Sequence, residues 1–484
     1  MGSAKAAPPK AATPLPIKPL VGVFLMNLVL GFQINVIWPF LPFMVDFLRG
    51  TKEDSALYVG ILTSSYFWTQ FISSFIWASL ATRLGMRRCL MLGLVGVGST
   101  FLCFGFSTSF EAAFVARAMS GLLNGNVPIL KAYMGTITDS TNQASGMSIL
   151  ALSWGLGSCV GPLLGGFLAE PAVVYPTVFA QDGLFGRLPY LLPCLTITAM
   201  CGVALVAALL LLPPDPHPAQ WCGERPSARK YSKVGGADDE DEDEGDEEEE
   251  AEVELLTWRA ILCSGSTFTA CMSYVLTACI YIIYDEMFPV FGKTSVAQGG
   301  LSFSAGDIGS ALSVGGVVLI AYQTFVYPTL VRRTGLVSSY RSGTWMTLLL
   351  VLIFPFVHLL APEDGSDESA VALWAALLCL FTWRMVASAN CFIGSMIIVN
   401  NSVDYANLNR VNGVCQALSS LSRAILPMAA GAIWSALLRE PWPLQPHGLY
   451  IAMSLLGVWM VINGRMIDPR CGAAFADRSS APAP

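Results

Sequence analysis

Long apolar runs separated by short polar turns dominate the chain. A helix needs about 20 mostly apolar residues to cross the hydrocarbon core of a bilayer, and twelve stretches reach about that length. They lie at residues 19–47, 57–81, 88–108, 112–135, 143–169, 188–212, 258–284, 307–331, 341–360, 371–399, 411–438 and 448–467. The pattern predicts an all-α membrane protein with twelve transmembrane helices.

One long interruption, residues 213–257, divides these stretches into two sets of six. It begins with Pro213-Pro214 and ends in an acidic run, which is typical of a solvated linker. The predicted organisation is a cytoplasmic N-terminal tail (1–18), an N-terminal six-helix bundle (19–212), a cytoplasmic acidic linker (213–257), a C-terminal six-helix bundle (258–467) and a cytoplasmic tail (468–484).

The composition supports a membrane protein. Of the 484 residues, 54% are hydrophobic and 13% are charged, whereas a soluble domain carries about 25% charge. The net charge is −7, but 14 of the 34 acidic residues lie between Asp238 and Glu254, so the rest of the chain carries +7. A nucleic-acid partner is excluded because no broad basic face is visible. The expected partner at this point is a lipid bilayer.

The distribution of basic residues predicts the orientation. With the N-terminus in the cytoplasm, the inner segments contain 19 of the 27 Lys and Arg residues, and the outer loops contain five. Because cytoplasmic loops are enriched in Lys and Arg, both termini and the linker are expected in the cytoplasm. We expect a multi-pass protein of the plasma membrane or the vacuolar membrane.

Three arginines lie inside apolar stretches: Arg117, Arg384 and Arg423. A charge at the centre of a membrane helix costs at least about 2.5–3.5 kcal/mol, so each should face a wet cavity or a partner. Arginine binds carboxylates through its forked donors, which favours a substrate with a carboxylate. Alternatively, Arg384 and Arg423 pair with acids or helix ends.

Two short segments of the sequence are candidates for motifs that take part in conformational change. Between the second and third spans, Arg83, Gly85 and Arg87 form a basic turn, which is either a topology anchor or a latch whose Arg83 caps helix ends. The fifth span contains glycines every four residues, which allow a second helix to approach closely, and a proline that bends it. Its motif residues are Gly155, Gly157, Gly161, Pro162, Gly165 and Gly166.

These two strings resemble signature motifs of the major facilitator superfamily, and the second resembles its antiporter motif. Arg117-x-x-x-Gly121 is similar to the third motif, whose arginine is linked to proton transfer. Further strings resemble the zinc-induced facilitator-like transporters of plants: Gly166 to Pro171, Lys131 to Tyr133, and Tyr284 to Pro289. The resemblance covers about residues 20–467 without the linker.

The first motif departs from the family pattern. Ala78 stands where the family has Gly, Thr82 where it has an acid, and Met86 where it has Arg or Lys. The Asp-based part of the family's charge relay is therefore absent, which weakens any latch in this turn.

The resemblance implies the major facilitator fold, with two six-helix bundles and a site between them. It implies a monomer without a cofactor that exchanges protons for a small organic solute by alternating access. The solute is an organic anion, a metal chelator such as nicotianamine, or a drug-like molecule. The alternative is an uncoupled facilitator or a transceptor-type sensor that uses the acidic linker. An enzyme is disfavoured because no HExxH or GxSxG string occurs.

For proton coupling we expect Arg117, Asp285 and Glu286, unless the two acids are solvated at a helix end. The candidates for substrate binding are Asn27, Gln33, Asn124, Lys131, Tyr133, Trp154, Arg384 and Arg423. Purely structural roles stay open for several of these residues. Lys131 can extend its amine to the membrane interface, Trp154 can pack against other helices, and the amides can form hydrogen bonds between helices. The chain has only three histidines, His217, His358 and His447, and no metal site is expected.

Overall fold

The computed structural model of the protein describes residues 14–138, 142–214, 265–361, 367–403, 407–440 and 444–472. Within these ranges every long element is a helix. Most of the predicted linker and tails lies outside them, so the structure does not test the predicted domain boundaries there.

The helices fall into two sets, one on each side of the linker. Those of the N-terminal half are α1 (Ile17–Asn35), α2 (Leu41–Arg49), α3 (Ser55–Leu84), α4 (Met86–Gly105), α5 (Phe110–Leu122), α6 (Asn126–Ile137), α7 (Gln143–Leu168), α8 (Pro171–Val174), α9 (Leu184–Arg187) and α10 (Leu191–Leu211). Those of the C-terminal half are α11 (Gly265–Lys293), α12 (Ala305–Ala321), α13 (Tyr327–Thr334), α14 (Leu336–Ile353), α15 (Asp367–Asn401), α16 (Leu408–Leu437) and α17 (Leu444–Met466).

Nine helical segments of the described ranges are long and apolar enough to cross a membrane. The other three predicted spans correspond to α3, to α5 with α6, and to α16, which are also helical. Large apolar side chains such as Val203, Leu210, Phe325 and Leu455 are exposed, which suits contact with lipid rather than water.

Prolines and a glycine divide two of the predicted spans. Within the first span, α1 ends at Asn35 and α2 begins at Leu41, and Pro39 lies between the two helices. The fourth span is interrupted at Gly125, where a Cβ atom would collide with the Trp77 ring. Trp77 Nε1 donates a hydrogen bond of 2.9 Å to Leu122 O, which satisfies a carbonyl at the end of α5.

The seventh span extends further than the sequence predicts. We expect it to end near residue 284, but α11 continues to Lys293 with Pro289 inside it. The alternative that placed Asp285 and Glu286 at a helix end is therefore wrong, and of the two only Asp285 is partly exposed. Both lie within the helix, because this proline is accommodated without ending it.

The two halves repeat a tight turn that only glycine adopts readily. Gly85 joins α3 to α4 with φ 90° and ψ 152°, and Gly335 joins α13 to α14 with φ 84° and ψ 155°. A positive φ strains residues that carry a Cβ atom. The similarity of the two backbones makes the basic turn before Gly85 and the turn with Arg332 and Arg333 before Gly335 structural counterparts.

An arginine beside each of these turns binds the end of a helix. Arg87 Nη2 donates a hydrogen bond of 2.8 Å to Leu209 O near the end of α10. Arg341 Nε and Nη2 donate to Gly464 O at 2.9 Å and to Ile467 O at 3.1 Å, at the end of α17. Arg83, the residue predicted to cap helix ends, is exposed. In this structure the capping therefore comes from Arg87, within its own half.

The glycine motif of α7 packs this helix against both halves. A Cβ atom on Gly157 would lie 2.7 Å from Gly31 Cα of α1, and one on Gly161 would lie 3.1 Å from Asn35 Cβ. On another face, a Cβ atom on Gly155 would lie 2.8 Å from Ile320 Cγ1 of α12. Gly165 likewise meets the Val36 backbone, and Gly166 meets the backbone of Ala305, while Pro162 lies inside the helix.

At one end of the molecule, ion pairs join the halves. Lys293 forms an ion pair with Asp46 of α2, and Arg439 donates to both carboxylate oxygens of Asp54 at 2.9 and 3.0 Å. We call the end marked by these four residues the closed end. Nearby, Met428 N donates to Ser64 Oγ at 3.2 Å.

Candidate functional site

An ion pair within the C-terminal half forms the first part of the site. Arg384 of α15 pairs with Asp285 of α11, and its guanidinium carbon lies 4.6 Å from the Tyr284 ring centroid and 5.9 Å from that of Tyr281. The side chain of Arg384 is 5% exposed, whereas that of Asp285 is 38% exposed. Asp285 is therefore partly exposed, and the pairing of Arg384 with an acid, which the sequence left open, is present.

Glu286, the next residue, lies in a different environment. It is fully buried beside Thr63 of α3, which belongs to the other half. Within the described residues, neither carboxylate oxygen has a hydrogen-bond partner of ordinary geometry, and neither has the Thr63 hydroxyl. An ionised carboxylate is very costly in such a place, so the neutral acid is the form that fits this conformation.

A buried polar cluster occupies the interior of the N-terminal half. Asn124 Nδ2 donates to Tyr66 Oη at 2.7 Å and to Gln33 Oε1 at 3.2 Å. Gln70 Nε2 donates to the same hydroxyl at 3.2 Å. The amides predicted to bind substrate, Gln33 and Asn124, are thus joined directly, and Asn124 links them to Tyr66. No sequence signal pointed to Tyr66, because one tyrosine in an apolar helix is not distinctive.

Arg117 lies against this cluster. Its guanidinium carbon is 4.6 Å from the Tyr66 ring centroid and 5.9 Å from that of Phe104. The residue is 5% exposed, and it forms no salt bridge within the described part of the chain. Cation–π contacts with these rings therefore stabilise the buried charge.

Asn27 joins two helices of the N-terminal half. Its Nδ2 donates to Leu150 O at 2.7 Å and to Ser153 Oγ at 2.8 Å, both on α7. Both amide hydrogens are therefore used between α1 and α7, which corresponds to the interhelical role that the sequence left open. Trp154, one residue beyond Ser153, is half-buried and packs against the hydrophobic core.

Two basic residues from opposite halves come near one another. Arg423 of α16 is half-buried and lies within electrostatic range of Lys131 on α6 and of Asp285. Neither Lys131 nor Arg423 forms a salt bridge within the described ranges. The side chain of Tyr133, also on α6, points toward α10 instead. Its hydroxyl lies 3.5 Å from Pro213 O, just after the end of that helix.

The part of the chain that the structure describes contains no group of three or more His, Cys, Asp or Glu side chains that could hold a metal ion. The polar interior of these residues is instead built from one ion pair, one buried acid, the amide cluster around Tyr66 and cations that form no salt bridge. Such an interior can bind charged small molecules and protons.

Comparisons with known proteins agree with this architecture. Residues 23–427 match the sequence profile of the Major Facilitator Superfamily. The protein ZINC INDUCED FACILITATOR 1 of Arabidopsis thaliana is 29% identical over 415 residues, covering 85% of this chain and 83% of that protein. The Major facilitator superfamily multidrug transporter mfsB of Aspergillus fumigatus is 26% identical, covering 87% of this chain and 79% of its own length.

Among solved structures, a D-xylose-proton symporter has a TM-score of 0.64 at 14% identity, covering 95% of this chain and 99% of its own. At that identity the likeness concerns the fold alone. It confirms the expected all-helical transporter fold, in which two halves enclose a polar interior. The sequence match over most of the chain and this shared fold lead to one conclusion: the chain belongs to the Major Facilitator Superfamily.

Proposed function

We propose that this transporter is a proton-coupled antiporter of small organic anions. In the proposal, twelve helices cross the membrane, the termini and the linker face the cytoplasm, and the protein works as a monomer in the plasma or vacuolar membrane. The resemblance to zinc-induced facilitators extends the proposed cargo to metal chelators such as nicotianamine, and the name of the multidrug transporter supports drug-like molecules.

The burial of the Glu286 carboxyl between the two halves is the main support for the proposal. The neutral form of this carboxyl fits the structure with the closed end shut. When the halves separate at that end, water reaches the carboxyl and allows it to ionise. Closing then requires a proton. Conformational change and protonation are thereby coupled.

Asp285 gives the buried acid an accessible neighbour. Its side chain is partly exposed and is paired with Arg384. Adjacent acids in such different environments can take different roles, one as a buried proton site and one in contact with cargo and water. Arg117 belongs to the proposal as the buried cation of the N-terminal half, which acts through the Tyr66 ring.

The cations indicate the charge of the cargo. Lys131 and Arg423 belong to opposite halves, lie within electrostatic range and repel one another. An anionic group between them removes this repulsion and allows the halves to approach. An organic anion would thereby promote the change of conformation that carries it across the membrane.

The test is transport by purified protein in liposomes that enclose a pH-sensitive dye. A proton gradient is imposed, and nicotianamine and small organic anions are supplied in turn. We expect cargo-dependent proton flux from the wild type. Glu286→Gln should abolish it, because the amide cannot release a proton.

The matched control is Glu111→Gln, which changes an exposed glutamate at the start of α5 in the same way and should keep full flux. Proton flux that persists in Glu286→Gln would refute the role of this residue. Saturable downhill uptake of cargo without proton movement in the wild type would instead support an uncoupled facilitator or a transceptor-type sensor.

A further inference from the structure

Two of the three histidines of the chain meet at one place in the C-terminal half. His358 lies in the 3-10 turn Phe354–Leu360 that follows α14, and His447 lies in the first turn of α17. Their ring centroids are 5.4 Å apart, with an angle of 55° between the ring planes. Residues 89 positions apart in sequence are thus neighbours, although histidine is rare in this chain.

The hydrogen bonds of His358 prepare one of its ring nitrogens for a ligand. His358 Nδ1 lies 2.6 Å from Pro355 O, and a carbonyl oxygen can only accept. Nδ1 therefore carries the hydrogen, and Nε2 keeps its lone pair. A histidine that donates one ring N–H to a backbone carbonyl is the usual arrangement of a metal ligand, because the bond fixes the tautomer and the ring orientation.

His447 supplies a second, independent observation. It is 8% exposed, and its buried Nδ1 has no hydrogen-bond partner among the described residues. The Phe356 ring stacks on it, with centroids 4.9 Å apart and an interplanar angle of 30°. A buried ring nitrogen without a partner is costly, and a metal ion or a water molecule would satisfy it.

The spacing of the two rings fits one tetrahedral ion. A zinc–nitrogen bond of about 2.1 Å places the metal about 3.2 Å from each ring centre, so two imidazoles on one tetrahedral zinc have centres about 5.2 Å apart. The observed separation is 5.4 Å. We propose that His358, through Nε2, and His447 bind a divalent transition-metal ion of the zinc class, with water in the other coordination positions.

The proposed site is separate from the transport site. Both histidines belong to the C-terminal half, so the metal would join the end of α14 to the start of α17 and would not bridge the two halves. Metal binding should therefore stabilise this half without blocking the movement of one half against the other. The proposal is independent of whether the cargo is an anion or whether protons are coupled.

The test needs a readout for each histidine, since the acidic run 238–254 can also attract cations. Purified full-length protein is treated with diethyl pyrocarbonate, which modifies free imidazoles, and each site is followed by mass spectrometry during titration with Zn²⁺. We expect Zn²⁺ to protect His358, while His217 in the linker sequence reacts at an unchanged rate. Mg²⁺ should protect neither, because it prefers oxygen ligands.

The decisive variant is His447→Gln, and His217→Gln is the matched control. We expect the Zn²⁺ concentration for half-protection of His358 to rise at least about tenfold in His447→Gln and to stay unchanged in the control. Equal protection of His217 and His358, or protection of His358 that survives His447→Gln, would overturn the proposal.

A second measurement serves if His447→Gln folds poorly. The unfolding temperature of the wild type should rise with Zn²⁺, because a ligand that binds only the folded state stabilises it. His358→Ala changes a half-buried residue and should remove this rise while leaving the metal-free unfolding temperature close to that of the wild type. An equal rise in His358→Ala would contradict the assignment.

Discussion

Asp285→Asn should cost more stability than Arg384→Met, although both changes break the same ion pair. Loss of one partner of a buried pair costs about 3–5 kcal/mol, because the other charge stays buried and uncompensated. Asp285→Asn leaves such a charge on Arg384, which is 5% exposed and lies near the rings of Tyr281 and Tyr284. We expect a loss of about 3 kcal/mol, at the lower end of that range, because the two rings still attract the guanidinium.

Arg384→Met leaves the Asp285 carboxylate without its arginine, but this carboxylate can be solvated by water instead. The Asp285 side chain is 38% exposed, so water can solvate its charge once the arginine is gone. Solvent screening reduces the expected cost to about 1–2 kcal/mol. The difference between the two variants therefore follows from the unequal exposure of the two partners.

The assay is a double-mutant cycle on the free energy of unfolding, measured by titration with sodium dodecyl sulfate in mixed micelles. The double variant should lose little more than Arg384→Met alone, which gives a coupling energy of at least about 1 kcal/mol. The control Arg333→Met removes an exposed arginine and should change stability by less than about 0.5 kcal/mol. Equal costs for the two single variants, or additive costs in the double variant, would refute the reasoning.

Two further predictions concern packing and cargo. Gly157→Ala should lower the free energy of unfolding by about 1–3 kcal/mol, because its Cβ atom would lie 2.7 Å from Gly31 Cα. Gly202→Ala has nothing within 4 Å and should raise it by about 0.5–1 kcal/mol, and equal effects would contradict the packing argument. Arg423→Gln should raise KM for anionic cargo roughly tenfold or more in the liposome assay, since a charged hydrogen bond contributes about 1.5–3 kcal/mol. Arg333→Gln should not, and a similar rise for a neutral cargo would count against direct anion binding.

The fold was predictable because its determinants are local. The apolar stretches, the glycine spacing of α7 and the repeated turns at Gly85 and Gly335 can be read along the chain. The end of α11 was not predictable in the same way. A proline usually disrupts a helix, but packing around α11 keeps Pro289 within it.

The candidate site was predictable as residue types and not as an arrangement. Charge in an apolar stretch is conspicuous in sequence, which is why Arg117, Arg384 and Arg423 could be named. Their different partners were not evident, because Arg384 finds an acid on another helix and Arg117 finds an aromatic ring. Which helix faces which depends on how all the helices pack together.

The sequence by itself determined that this protein is helical, lies in a membrane and is divided into two halves, because hydrophobic length and charge placement are properties of each segment alone. Only the tertiary structure decided that Asp285 is partly exposed while Glu286 is buried beside Thr63. Only the tertiary structure brought His358 to His447. Adjacent residues of one helix point in different directions, and distant residues meet only after packing, so contact and burial are decided when the helices assemble.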